Sequence, residues 1–139
     1  MSTPIDILEN VKNKLETEIS EIKAIQISNG ITNEQLAQEM LRYSPLVLLI
    51  WTHEDPIDNI RIILEGNFEV QVYVHKSRHY TKNLEKCYEI HDKIKDILDG
   101  YLTGLSDVGE ITYSSSDINT PLVIEGASVA LKFKVKRKI

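Results

Sequence analysis

Phe68-Glu69-Val70-Gln71-Val72-Tyr73-Val74-His75 is the stretch that decides the fold class. Phe68, Val70, Val72 and Val74 face one way, and Glu69, Gln71, Tyr73 and His75 the other. A strict two-residue period of this length predicts a β-strand with one face on a core. Upstream, Ile60 to Glu65 is a second strand-like run, set off by Gly66-Asn67. Two such runs around a Gly-Asn pair predict a β-hairpin.

Before this pair stands Leu46-Val47-Leu48-Leu49-Ile50-Trp51, apolar on both faces, preceded by Pro45 and followed by polar residues to Asn59. It reads as a central strand covered on two sides, with a loop after it. After the pair, Lys76 to Tyr80 is a polar link and Thr81 a candidate cap. Leu84, Cys87, Tyr88, His91, Ile94, Ile97, Leu98 and Tyr101 then recur at helical spacing, with Gly100 and Gly104 as candidate stops. Gly109 to Tyr113 predicts a strand and Ser114 to Pro121 a loop. The last strand begins between Val123 and Ala127 and runs to Lys136, with Val129, Leu131, Phe133 and Val135 on its core side.

Towards the N-terminus, Thr3, Pro4 and Asp6 form a capping-box signature for a helix of about 20 residues. Its expected apolar stripe is Ile5, Leu8, Leu15, Ile19 and Ile22, with Val11 or Lys12 filling the gap. Ala24 to Ile27 predicts a short strand, and Ser28-Asn29-Gly30 a turn. Thr32 and Gln35 suggest a second capping box. Leu36, Met40 and Leu41 then give a short amphipathic helix ending near Arg42.

Together these elements predict one α+β domain over residues 1–139, a twisted, mainly antiparallel sheet of four to five strands with two long helices packed on one face. The second face of that sheet is then short of cover. Either the short helix near Leu36 and the loops lie on it, or another subunit does.

Composition limits the function. The 139 residues are 42% hydrophobic and 27% charged, as in a globular protein. A net charge of −5 disfavours general nucleic-acid binding. A lone cysteine, Cys87, excludes an intrachain disulfide and a cysteine-rich zinc site. No apolar run is long enough to span a membrane, and no secretion signal opens the chain, so a soluble intracellular protein is expected.

Residues able to carry chemistry are few and scattered. His53, Glu54, Asp55 and Asp58 share one segment, but neighbouring side chains of an extended chain diverge, and a solvated turn accounts for them. His75 and His79 straddle a predicted strand end. His91 and Cys87 sit on a helix stripe and read as boundary and core residues. Ser114 to Ser116 lacks the glycines of a nucleophile elbow, and no phosphate-binding loop is present. The sequence therefore predicts no catalytic residue, no cofactor and no metal. A small enzyme using Thr52 to Asp58 with His75 or His79 is the alternative.

Charge is unevenly placed. Gly126 to Ile139 holds Lys132, Lys134, Lys136, Arg137 and Lys138 and no acid, while the remaining chain has eleven basic and 21 acidic residues. Lysines alternating along a terminal strand protect a sheet edge against aggregation. They also suit an acidic surface on a neighbouring subunit, or non-specific contact with passing DNA. Trp51, Tyr73, Lys132, Lys134 and Lys136 are the candidate assembly interface.

Element order and spacing resemble the Mu-like bacteriophage tail proteins grouped with tail terminators. The match runs through the opening helix, Pro45 to Trp51, and Phe68-Glu69-Val70-Gln71-Val72-Tyr73-Val74. It continues through Ile90 to Leu98 with Gly104-Leu105, and Val129 to Val135. The resemblance implies a structural virion or prophage component, assembled in the host cytoplasm and then part of the tail. It implies a ring, commonly a hexamer, that caps the tail tube and meets the tube and neck proteins. A tail completion or neck protein of the same assembly is the neighbouring possibility.

Overall fold

A computed structural model of the chain describes residues 2–28, 33–58, 62–75, 80–118 and 126–139. The elements are α1 (Pro4–Glu18), β1 (Ala24–Ile27), α2 (Asn33–Arg42), β2 (Leu46–Pro56), β3 (Ile63–His75), α3 (Tyr80–Leu98), β4 (Thr112–Ile118) and β5 (Gly126–Lys138). The strands form one open sheet in the order β1-β2-β3-β5-β4. β1 runs parallel to β2, and every other pair is antiparallel. The fold is α+β, with α1 and α3 on one face of the sheet, as expected.

α1 begins at the expected capping box. The Thr3 hydroxyl accepts from Asp6 N at 3.2 Å, and Thr3 N donates to the Asp6 carboxylate at 2.8 Å. The helix is shorter than expected, because Ile19 takes an extended backbone while its N–H still closes on Leu15 O. Its core stripe is Ile7, Leu8, Val11 and Leu15 rather than one led by Ile5. Ile7 lies about 200° around the helix from Ile5, so burying Ile7 turns Ile5 outwards. α3 likewise buries Cys87, Ile90, Ile94 and Leu98, and leaves Tyr88 at the surface.

The expected hairpin around Gly66-Asn67 is not formed. Both residues lie inside β3, and the hairpin joins β2 to β3 instead. Gly66 is there for room. The Trp51 indole lies over it, and a Cβ at this position would stand 2.0 Å from the Trp51 ring. β2 also continues past Trp51 to Pro56, where a loop was expected, with its register shifting between Trp51 and His53. Its polar residues are usable there because alternation sends Glu54 to Arg137 on one side and Asp55 to the other.

Near the C-terminus the expected strand moves by a few residues. Ile111 turns fully into the core, bonded through Ile111 N to Tyr101 O and from Gly100 N to its own carbonyl. The strand therefore starts at Thr112 and takes in Ser114 to Ser116, which had read as a loop. β5 is last in sequence but interior in the sheet, between β3 and β4. Its lysines therefore do not guard an edge; the edges are β1 and β4.

The helix-covered face holds the main core. Four aromatic rings cross it from strand to strand. Trp51 stacks on Phe68 at 6.1 Å, Phe68 on Phe133 at 5.4 Å, and Tyr113 meets Phe133 edge-on at 5.7 Å. The other face is only partly covered. α2 places Leu36 and Met40 against Leu46 and Leu48, with Ala24 and Tyr73 packed alongside. Gly126, at φ 153°, lets β5 begin where a Cβ would meet Val74 O and the Met40 methyl. Beyond α2, Ser128 and Ala130 of β5 are still buried, and among the described residues this face opens to solvent towards Lys134, Lys136 and Lys138.

Candidate assembly surface

The five candidate residues divide between the two faces. Trp51 is half-buried on the helix-covered face, and its Nε1 is buried with no hydrogen-bond partner among the described residues. Tyr73 lies on the opposite face, under the edge of α2. Its hydroxyl donates to Gln71 Oε1 at 2.8 Å, and Gln71 Nε2 donates to Glu69 Oε2 at 3.0 Å. Burial, then the Glu69 charge, pushes the Tyr73 phenol above its ordinary value.

Lys132, Lys134 and Lys136 come together in a row on the open face. Period-two alternation buries Leu131, Phe133 and Val135 and turns the lysines the other way. Opposite them in register stand Glu69, Asn67 and Glu65. Lys132 Nζ lies 3.1 Å from Asp117, and Lys134 Nζ 3.7 Å from Glu65. These pairs are solvent-exposed, so each holds its geometry weakly and can be exchanged at little cost. Where the chain at Gly109 to Thr112 departs from β5, a shallow groove of about 460 Å³ opens between Glu65, Glu110, Lys134 and Lys136.

The histidine and acid cluster of β2 is dispersed by alternation. His53 Nε2 lies 3.5 Å from Asp55, both exposed. Glu54 points to the other face and takes a two-pronged bond from Arg137, 2.8 Å at each oxygen. Arg137 also donates to Ser2 O at 3.2 Å, and Glu54 raises its pKa further. Asp58 caps Ile62 N. His75 ends β3, and His79 lies outside the described residues. Among the described residues no group of three acidic, histidine or cysteine side chains is placed to hold a metal.

Cys87 is buried in the core, and desolvation pushes its thiol up to about 12. His91 is buried too. Its Nε2 is 2.7 Å from Ser116 Oγ, which is 2.6 Å from the Tyr113 hydroxyl, and its Nδ1 is 3.0 Å from Asp92. The order acid, imidazole, hydroxyl is that of a nucleophilic triad, yet Asp92 is 76% exposed, where a triad acid is buried to fix the ring. The chain of bonds fastens the edge strand β4 to α3. Residue spacing alone gave no sign of it, because Ser116 had read as loop.

No protein-family model matches the chain, and a search of curated proteins finds no similar sequence. Among the described residues no helix is long and apolar enough to cross a membrane.

Proposed function

We propose that this protein is a structural assembly component of a phage or phage-like tail, a tail terminator that forms a ring, to be sought as a hexamer, on the end of the tail tube. The observation that carries this reading is the open half of the second sheet face, where Lys132, Lys134 and Lys136 stand in a row pointing away from the core. A row of like charges on one face steers a surface of opposite charge towards it. Element order agrees with the resemblance drawn from sequence: an opening helix, a Pro-led apolar strand, an alternating strand, a long helix and an alternating closing strand. In this role the protein acts by shape. One ring face reproduces the contacts of the tube, and the other accepts no further tube layer and meets the neck.

Tube growth tests the reading. A tail-tube protein is polymerised with and without this chain, and tube length is measured by electron microscopy. Substoichiometric chain is expected to stop elongation. Tubes of unchanged length with bare ends would overturn the reading.

A further inference from the structure

We infer that copies of this chain dock head to tail, the outer line of α3 on one copy lying along the lysine row of β5 on the next. This rests on the self-assembly reading above and names the surface it uses. Glu85, Glu89, Asp92 and Asp96 follow one another at steps of four, three and four along α3. At 100° per residue they form a single stripe, diametrically opposite the buried Cys87, Ile90, Ile94 and Leu98. All four are exposed. Glu85, Glu89 and Asp96 have no ion-pair partner among the described residues. The nearby Lys86 and Lys93 are both committed to Glu21.

The lysine row faces the other way, off the far side of the sheet. Lys136 and Lys138 have no ion-pair partner among the described residues, and Lys132 and Lys134 hold only exposed ones. The dimensions agree. Glu85 to Asp96 spans about 17 Å along a helix axis, and Lys132 to Lys138 about 20 Å along a strand. From β3 to β4 the three strands are about 10 Å across, the width of one helix, and α2 covers only the end of them that holds Tyr73 and Gly126. An α3 from a second copy would thus cover the open half of the face while exchanging weak surface pairs for new ones. Because the two surfaces are different and lie on opposite sides, the contact is heterologous, the kind that closes into rings when the rotation allows.

The test is sedimentation velocity on the full chain at low and high salt. The wild-type chain is expected to associate, with the association constant falling about tenfold or more between 50 and 500 mM salt. Two charge-reversed chains are compared: Glu85→Lys with Glu89→Lys and Asp96→Lys, and Lys134→Glu with Lys136→Glu and Lys138→Glu. Circular dichroism checks that each is folded; a chain carrying both sets, expected to associate again, serves if either one is not. Each reversed chain alone should be monomeric, and an equal mixture should associate, since reversed helix then meets reversed sheet and native meets native. Assembly of either reversed chain at wild-type strength, or failure of both the mixture and the doubly reversed chain, overturns the docking and leaves the tube-capping reading standing. A wild-type chain monomeric at low salt also overturns the docking; the tube-growth measurement then decides the parent reading by itself.

Discussion

The two faces of one sheet are built on different principles. On the helix-covered face, Trp51, Phe68, Phe133 and Tyr113 meet ring to ring, and Phe68 and Phe133 are fully buried. On the open face the same strands present Glu65, Glu69, Lys132, Lys134 and Lys136, of which Lys134 pairs with Glu65 and Lys132 with Asp117 near the surface. Each strand serves both, because alternate residues point opposite ways. The main core therefore lies on one face, with a smaller one under α2 on the other, and the charged remainder of that second face is the surface proposed to meet a partner.

Substitutions should separate the two. The largest effect is expected at Phe68→Ala, which removes the middle ring of the stack and should cost about 3–5 kcal/mol in denaturant unfolding. Gly66→Ala comes next. It drives a methyl into the Trp51 ring and should cost about 1–3 kcal/mol; an unchanged midpoint would mean the indole does not rest on Gly66. On the periphery of the helix layer, Glu21 joins Lys86 and Lys93, and those hydrogen bonds lower its pKa from 4.5 to about 2. A depressed carboxyl adds stability above its unfolded pKa and loses it as pH falls through the folded one. Unfolding should thus show a contribution that fades between pH 4.5 and about 2. Glu21→Gln should remove that dependence at a cost of about 0.5 kcal/mol at neutral pH, since the group lies near the surface and is screened. The smallest effect is expected on the open face, where Lys136→Ala should move stability by less than about 0.5 kcal/mol. A clear loss of stability there would erase the distinction between the faces.

Periodicity made the helix-covered face legible. The alternation of Phe68 to Val74 and of Val129 to Val135 placed both central strands, and the Thr3/Asp6 box placed the first helix. What misled was local chemistry with two uses. Gly66-Asn67 carries the signature of a turn, but the glycine answers a long-range demand from Trp51, fifteen residues away in sequence. Ser114 to Ser116 carries the signature of a loop, but Ser116 is satisfied by His91 on a helix that precedes it. The terminal position of β5 suggested an edge, and only the sheet order places it inside. Of the candidate surface, the lysine row was legible from alternation alone. That Trp51 belongs to the other face was also implicit in alternation, counted back from Val47 and Leu49.

The central claim is that this chain works by joining copies of itself, and weighing the particles it forms tests that most directly. Size-exclusion chromatography with light scattering of the wild-type chain at low salt, across a range of concentrations, should show a discrete closed species, about 95 kDa for six copies of the 15.9 kDa chain. A single population at 15.9 kDa throughout would contradict it.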